Sequence, residues 1–465
     1  MSKPNENDAT KLDWIARDGD GRVQRRTIVQ GAAWTIPVVA VAAATPAAAA
    51  SNQPTLAFTQ PSYSGTGCGV ISGVQVKRTT DGQTPAPGEL ISVTLSDGYT
   101  FSDGSTTFSA TSGADGTITL PDIEVPAGGG DSAFSATSGT LATTAPVSST
   151  AAPAKSLLYN VSTGVTTSDA VNARGLELVS VDTNDASNRA VLSSDGQLLI
   201  PGQNTLVASD VISYSPYAGS DGAPYITYVT SDGKVHNYTV SSGASTTDTV
   251  SGTFVSVEGN TGSHRAALTD TGALYIPGTG TKVADDVISY APYTNGGTSY
   301  ITYVTSNGTV HFYNVSTGVT TNDNLPGLTF VSVEADESSS RAALTNNGAL
   351  YIPGTGTKVA DNVTSYQPYA ANGVAYVTYT TTSGDVFLYN TSTGTTTSDP
   401  VNSLSETFVS VDADRSSSRA ALTDSGKLYI PGQGTLVAEN VISYSPFSND
   451  GTSSAAYISY IARAC

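Results

Sequence analysis

The stretch that decides the fold is "FVSVEADESSSRAALTNNGALYIPGTGTKVADN", residues 330–362. Short runs of β-prone residues alternate in it with small polar loops, which is typical of antiparallel strands. The pair Asn347-Gly348 supplies the positive-φ positions that a two-residue hairpin turn requires. Residues 363–400 then follow the same order of strand, loop, strand, glycine turn, strand, loop and short strand. The stretch therefore predicts two consecutive units of about four short strands each.

This pair of units occurs four times between residues 156 and 465. The motif "RAALT" and its variants carry one arginine in each double repeat, at intervals of 76, 76 and 78 residues: Arg189, Arg265, Arg341 and Arg419. Units of about 33 and 43 residues have the size of a propeller blade. The repeats predict an all-β fold whose larger part, residues 156–465, is an eight-bladed β-propeller.

The pattern stops early at "YISYIARAC", residues 457–465, where other double repeats continue into a further strand such as "VHFYNVSTG". The segment "SLLYNVSTGVTTSD", residues 156–169, matches that missing strand. We expect the first segment to complete the last blade, because a ring closed in this way leaves no frayed sheet edge. An open solenoid is the alternative, but it would need capping units.

The unit in residues 330–362 resembles the propeller repeat of the regulator-of-chromosome-condensation family, which has the same order of strand, small polar loop, "ALT" segment, aromatic strand and glycine. The resemblance spans residues 156–465 and implies a disc that presents loops. Where that family usually has Trp-Gly, this chain has a proline: Pro201-Gly202, Pro277-Gly278, Pro353-Gly354 and Pro431-Gly432. The nuclear exchange-factor activity of one branch of that family is not implied, since this chain is acidic and predicted to be exported.

Residues 1–50 resemble a twin-arginine export signal, in which Arg25-Arg26 precede an alanine-rich apolar stretch and a small-residue cleavage site before Ser51. The alternative is a membrane anchor, since about 19 residues could span a bilayer. The leader holds both Trp residues, six of the 20 Lys and Arg, and five of the 39 Asp and Glu. Its removal leaves 14 basic and 34 acidic residues, a net charge of −20. This charge argues against nucleic acid or an anionic membrane as a partner, and no stable membrane span is expected after cleavage.

Residues 51–147 alternate short β-prone runs with Asp-Gly and Gly-Gly turns, at the spacing of a β-sandwich. The run "VTLSDGYTFSDGSTTFSATSGADGTITLP", residues 93–121, resembles the bacterial immunoglobulin-like (Ig-like) repeats of surface proteins and invasins. The resemblance implies a small Ig-like sandwich that serves as a spacer or adhesive stalk. Residues 148–155 are expected to be a Pro/Ala/Ser linker.

Two cysteines remain in the exported chain, Cys68 and Cys465. An even pair in an exported protein predicts a disulfide, because two thiols without a histidine cluster cannot complete a four-ligand zinc shell. The alternative is a pair of free or intermolecular thiols.

The repeated arginines each lie seven residues after an acid that ends a strand: Asp182, Glu258, Glu334 and Asp412. That spacing predicts an ion pair between neighbouring strands of one blade. The alternative is a fourfold ring of charge around the channel, or a face that binds an anionic or sugar ligand.

An aromatic residue preceded by proline marks the other units: Tyr217, Tyr293, Tyr369 and Phe447. These rings could stack on sugars or on partner proteins, or they could fill the wedge between blades. We favour packing, because a glycan platform would more often use Trp, which the exported chain lacks.

Catalytic and metal-binding motifs are not visible in the sequence. The histidines His236, His264 and His311 lack metal-ligand spacing, and no nucleophile elbow or phosphate loop occurs. Two acidic clusters, "DADRSSS" at 412–418 and "TNDN" at 321–324, keep calcium as an alternative, although neither has the full ligand ladder. We predict no cofactor.

The predicted function is that of an exported, non-enzymatic binding or adhesion-type protein of the cell surface or medium. Its partner would be a protein or glycan that the sequence does not identify. One alternative is a secreted polysaccharide hydrolase or lyase that uses carboxylates at the propeller channel. Another is a structural component of the cell envelope.

Overall fold

The computed structural model describes residues 53–184, 188–260, 264–323, 325–336, 341–371, 373–414, 419–448, 456–463 and 465. Apart from two short 3-10 helices, Ala170–Arg174 and Pro400–Leu404, the regular structure of these residues is β-strand, which confirms the predicted all-β class. The predicted export signal lies outside the described residues. Within the described ranges, no helix has the length and apolar character that a bilayer crossing needs. The described residues divide into two compact units: residues 53–153 with 463 and 465, and those between 154 and 462.

The N-terminal unit contains eleven described strands. They are β1 Thr55–Phe58, β2 Tyr63–Thr66, β3 Val70–Ile71, β4 Gln75–Thr79, β5 Leu90–Thr94, β6 Thr100–Phe101, β7 Thr107–Thr111, β8 Thr117–Thr119, β9 Ile123–Glu124, β10 Gly130–Ser138 and β11 Leu141–Thr150. Their sheets have the orders β2-β11-β10-β5-β7, β1-β4-β8 and β3-β9-β6.

The three sheets of this unit share one apolar core. Val76 on β4, Phe134 on β10 and Ile123 on β9 belong to a single buried cluster. This is the burial that alternating side chains on facing strands produce. The Ig-like assignment of the unit stays a prediction. Residues 148–150 of the expected linker 148–155 belong to β11, where they pair with β10 and β2, and the next strand begins at Ala154.

The second unit begins with β12 Ala154–Asn160 and β13 Val165–Ser168. The strands that follow are β14 Leu178–Thr183, β15 Arg189–Ser193, β16 Leu198–Ile200, β17 Thr205–Ala208, β18 Val211–Ala218, β19 Pro224–Thr230, β20 Val235–Thr239, β21 Ala244–Thr247, β22 Phe254–Asn260, β23 His264–Thr269, β24 Leu274–Ile276, β25 Thr281–Ala284, β26 Val287–Asn295, β27 Thr298–Thr305, β28 Val310–Asn314, β29 Val319–Asn322, β30 Phe330–Ala335, β31 Arg341–Thr345, β32 Leu350–Ile352, β33 Thr357–Ala360, β34 Val363–Ala371, β35 Val374–Thr381, β36 Val386–Asn390, β37 Thr395–Ser398, β38 Phe408–Ala413, β39 Arg419–Thr423, β40 Leu428–Ile430, β41 Thr435–Ala438, β42 Val441–Ser448 and β43 Ala456–Arg463.

The described strands of the second unit form eight four-stranded sheets, which we number in chain order. Sheets I to VII each use four consecutive strands: β14–β17, β18–β21, β22–β25, β26–β29, β30–β33, β34–β37 and β38–β41. Sheet VIII has the order β13-β12-β43-β42. It therefore pairs the start of the unit with its end, as the repeat pattern predicts.

Each sheet packs against the next through a cluster of buried apolar side chains. Between sheets IV and V, for example, Val310 lies in one cluster with Phe330 and Val333. The composite sheet VIII makes two such contacts. Ile458 shares a cluster with Leu428 of sheet VII, and Ile461 shares another with Leu178 and Val181 of sheet I. The chain of sheet contacts therefore returns to its starting point.

Candidate functional site

The arginine of each double repeat lies between an even-numbered sheet and the next odd-numbered sheet. Arg341, on β31 of sheet V, donates two hydrogen bonds to Asp323, which follows β29 of sheet IV, with N–O distances of 2.7 and 2.9 Å. It also donates a 3.4 Å bond to the hydroxyl of Thr302 on β27. A two-bond pair of this kind fixes both the charge and the plane of the guanidinium.

Three further junctions repeat this arrangement. The shortest N–O distance in each pair is 2.6 or 2.7 Å: Arg189–Asp169, Arg265–Asp248 and Arg419–Asp399. Between sheets VIII and I, Asp169 comes from the start of the unit, whereas Ser459, which accepts a 3.3 Å bond from Arg189, lies on the last strand. The four arginine side chains are only 9 to 11% exposed, so they hold sheets together and do not form a ligand face.

The predicted ionic partner of each arginine is wrong. In sheet I, Arg189 is the cross-strand partner of Thr183, whereas Asp182 is the partner of Ala190. Successive side chains of a strand point to opposite faces, so Asp182 and Arg189 lie on opposite faces of the sheet. The same register occurs in sheets III, V and VII. Each arginine therefore reaches an aspartate of the preceding sheet.

The glycine of each Pro-Gly pair makes room for the arginine. A Cβ atom added at Gly202, Gly278, Gly354 or Gly432 would lie 3.2 or 3.3 Å from a terminal guanidinium nitrogen. Burial alone would lower the pKa of Arg341, but its hydrogen bonds to Asp323 and its charge interactions with Tyr293 and Asp323 together outweigh burial and raise that pKa. The guanidinium thus stays charged in an interior where its paired carboxylate compensates the lost hydration.

A second polar contact joins each odd-numbered sheet to the even-numbered sheet that follows it. The hydroxyls of a serine and a tyrosine lie 2.8 or 2.9 Å apart: Ser180–Tyr214, Ser256–Tyr290, Ser332–Tyr366 and Ser410–Tyr444. In the other direction, a backbone N–H of each odd-numbered sheet donates to a serine of the preceding sheet: Val181–Ser443, Val257–Ser213, Val333–Ser289 and Val411–Ser365. Sheet VIII takes part in both series.

The aromatic candidates are packing residues. Tyr217, Tyr293, Tyr369 and Phe447 are only 2 to 4% exposed. Each stacks on the half-buried tyrosine opposite it on the next strand: Tyr225, Tyr300, Tyr376 and Tyr457. Burial raises the pKa of the first three tyrosines to about 12. The buried members of these pairs cannot serve as a ligand platform.

Two histidines take part in the same packing. His236 and His311 stack on Tyr228 and Tyr303, and burial lowers the pKa of both imidazoles. Phe387 stacks on Tyr379 at the corresponding position of sheet VI, so the ring matters here more than its nitrogen atoms. Among the described residues, no group of three His, Cys, Asp or Glu is placed to hold a metal ion. The acidic clusters at 321–324 and 412–418 lie partly outside the described residues.

Glu406 is one of the acids that depart from the repeat pattern. Glu406 precedes sheet VII at a position where the other double repeats have Leu176, Gly252 and Leu328. Its carboxylate accepts hydrogen bonds from Lys427 at 2.7 Å and from the Tyr429 hydroxyl at 3.3 Å. The hydrogen bond from Lys427 lowers the pKa of Glu406. A carboxyl group held ionised in this way is poorly suited to act as a general acid.

The structure pairs Cys68 with Cys465 in a disulfide. Both residues belong to the N-terminal unit, and both are exposed. The sequence predicts this bond from the even number of cysteines.

Residues that the sequence does not single out form an exposed, repeated feature of the second unit. The outermost strands of the even-numbered sheets, β13, β21, β29 and β37, read "VTTS", "ASTT", "VTTN" and "TTTS", and every residue in them is exposed. They carry no charged side chain. Their threonine and serine hydroxyls can both donate and accept hydrogen bonds.

No protein-family model and no curated protein matches this sequence. Solved structures match about half of it. The β-propeller domain of Cps50 (Swd1) from Myceliophteria thermophila is 12% identical, covers 53% of this chain and 92% of its own, and has a TM-score of 0.36. The computationally designed protein Ika8 is 11% identical, with coverages of 54% and 82% and a TM-score of 0.38. YCF48 from Cyanidioschyzon merolae is 11% identical, with coverages of 52% and 91% and a TM-score of 0.35. At these levels of similarity the matches carry no argument about function.

Proposed function

We propose that this chain is an exported binding protein whose residues 156–465 form an eight-bladed β-propeller, closed by the strand exchange in sheet VIII. It acts without catalysis and binds a protein or glycan at the cell surface. Support for the closed ring comes from the junctions. Sheet VIII makes the same kinds of contact with sheets VII and I as the other sheets make with their neighbours.

The observation that carries the binding function is the contrast between buried charge and exposed hydroxyl groups. The repeated arginines are held inside by aspartates, whereas β13, β21, β29 and β37 present uncharged hydroxyl side chains to solvent. Hydroxyl groups suit neutral, hydrogen-bonding ligands such as sugar chains and polar protein surfaces. The net charge of −20 on residues 51–465 adds to this preference by disfavouring polyanions.

The remaining assignments belong to the same proposal. The order of strands and glycine turns supports a repeat of the regulator-of-chromosome-condensation type. The packing of antiparallel sheets around one core supports an Ig-like N-terminal domain that serves as a spacer. The Arg25-Arg26 pair before an apolar stretch supports twin-arginine export.

A binding screen of residues 51–465 against immobilised glycans and bacterial surfaces tests the proposal. The test variant replaces one exposed threonine in each outermost strand by the isosteric valine: Thr167, Thr246, Thr321 and Thr397. The matched control makes the same change in the outermost strands of the odd-numbered sheets: Thr205, Thr281, Thr357 and Thr435. We expect the test variant to lose binding and the control to keep it.

Two outcomes would overturn the proposal. One is equal binding by the wild type and both variants. The other is measurable turnover of a polysaccharide or ester that a single Asp or Glu substitution abolishes, which would favour the hydrolase or lyase alternative.

A further inference from the structure

Sheet VIII differs from the other described sheets of its unit in how its strands are connected. In sheet IV, short turns join β26 to β27, β27 to β28 and β28 to β29, so the peptide chain itself holds neighbouring strands together. In sheet VIII, one half is the β12–β13 hairpin and the other is the β42–β43 pair. Among the described residues, the backbones of the two halves meet where β12 pairs with β43, and the bond from Val161 N to Ala456 O, at 2.9 Å, lies at the end of that pairing.

Both halves of sheet VIII are covalently attached to the N-terminal unit. β12 begins at Ala154, directly after Pro153, the last residue of that unit before the repeats. β43 ends at Arg463, two residues before Cys465, whose sulfur is bonded to Cys68. The disulfide therefore keeps the effective concentration of the two halves high, as a short linker does. The hydrogen bond from Arg463 to the Ala152 carbonyl also connects this end of β43 to the segment before β12.

The disulfide is placed where a thiol can reach it. Both cysteines are exposed, and Cys68 lies in a turn that its own backbone bonds hold, Cys68 N to Val125 O at 3.0 Å and Gly69 N to Thr66 O at 2.8 Å. Exposed disulfides are the ones that exchange with external thiols, whereas buried ones are protected until the protein unfolds. The turn does not depend on the disulfide for its backbone bonds, so we expect it to persist after reduction.

We propose that the Cys68–Cys465 disulfide is a thiol-reactive latch that keeps sheet VIII closed, and that its reduction loosens this sheet and no other. An external thiolate attacks one sulfur, forms a mixed disulfide with it and expels the other cysteine as a thiolate. A second thiol molecule then attacks the mixed disulfide. The products are one oxidised thiol dimer and two protein thiols, so atoms and electrons balance. This inference goes beyond the proposed binding function and does not depend on the identity of its ligand.

The experiment uses the oxidised exported chain in millimolar glutathione without denaturant. Alkylation followed by intact mass reports the thiols, and hydrogen–deuterium exchange reports each strand. We expect both cysteines to become alkylated while exchange in β12 and β43 rises by about tenfold or more, as expected for local opening. The corresponding strands of sheet IV, β28 and β27, should keep their exchange rates.

The matched control is the double variant Cys68→Ser/Cys465→Ser. It should show the faster exchange of β12 and β43 without any thiol, and glutathione should not change it further. A disulfide that resists glutathione until denaturant is added would overturn the inference. So would reduction that leaves β12 and β43 unchanged, or that accelerates exchange equally in sheets IV and VIII.

Discussion

Sheets IV and VIII have the same layout but a different path of the chain. Sheet IV is built from one continuous segment, whereas sheet VIII takes two strands from each end of the repeat region. Both present an aspartate and a hydroxyl to the arginine of the next sheet: Asp323 and Thr302 in sheet IV, and Asp169 and Ser459 in sheet VIII. The comparison shows that the same junction contacts form whether or not the four strands of a sheet are consecutive in the chain.

The two sheets also differ in their aromatic content. Where sheet IV stacks Tyr303 on His311, sheet VIII has Tyr460 on β43 and Leu157 on β12. Where sheet IV has Tyr293, sheet VIII has Phe447. Stacked ring pairs contribute about 0.5 to 1.5 kcal/mol beyond the area they bury. The pairing between the two ends of the chain therefore lacks a contribution that the continuous sheet has.

Removal of the aspartate at each junction should have the largest effect. Asp323→Ala and Asp169→Ala each leave a buried arginine without its carboxylate, which costs about 3 to 5 kcal/mol of unfolding free energy. We expect equal losses in sheets IV and VIII, measured by denaturant unfolding at pH 7. Asp361→Ala, which removes the exposed partner of Lys358, is the control and should change little. A much smaller loss for Asp169→Ala would contradict this expectation, because the Asp169–Arg189 pair would then contribute less to the unfolding free energy than the Asp323–Arg341 pair.

The next largest difference between sheets IV and VIII is expected in how stability depends on alkaline pH. Burial raises the pKa of Tyr293 to about 12, above the ordinary value of 10.0. The folded state therefore prefers the protonated phenol, so its contribution to stability is complete below pH 10 and is lost as the pH rises towards 12. A shift of about two units corresponds to about 2 to 3 kcal/mol.

We expect Tyr293→Phe to lose less stability than the wild type between pH 9 and pH 12, as followed by circular dichroism. Phe447→Tyr should lose more, because it adds a phenol at the equivalent position of sheet VIII. Comparison of the slopes with pH removes any constant cost of either substitution. Parallel slopes for all three proteins would contradict the assignment.

The sequence predicts the strands and their order well, because that information is local. Period-two alternation and Asn-Gly or Asp-Gly turns mark each strand and hairpin, and the repeats multiply the signal. The composite sheet could be predicted for the same reason, since residues 156–169 match the strand that the last repeat lacks. The cysteine count likewise predicts the disulfide.

The partners of side chains could not be predicted in the same way. Whether Arg341 and Glu334 share a face depends on the register of two strands, and a bulge between Phe330 and Ser332 shifts that register along the strand. The true partner, Asp323, belongs to another sheet, whose position no local pattern gives. The sequence predicts a short strand at the end of each unit, but threonine and serine runs carry no charge or motif that would single out a hydroxyl-bearing surface.

Gly354 and Gly202 offer a smaller test of the same comparison. A methyl group at either position would press on a guanidinium nitrogen at 3.3 Å. We expect Gly354→Ala and Gly202→Ala each to cost about 1 to 3 kcal/mol, as overpacking does. Gly280→Ala is not a usable control because its φ is +69°, which favours glycine, so Thr279→Ala in the same exposed turn serves instead. In thermal unfolding, the two junction variants should have similar midpoint temperatures, both lower than that of the control.

The smallest expected effect concerns the serine–tyrosine contacts that lead into sheets VI and VIII. Ser332→Ala and Ser410→Ala each remove one hydroxyl–hydroxyl bond, of 2.8 and 2.9 Å, which is worth about 1 kcal/mol. Double-mutant cycles with Tyr366→Phe and Tyr444→Phe isolate the coupling energy from the effects of each single change. The two cycles should give equal coupling energies if sheet VIII contacts sheet VII as firmly as sheet VI contacts sheet V. Coupling present at Tyr366 and absent at Tyr444 would mean that sheet VIII is already loosened when its disulfide is intact.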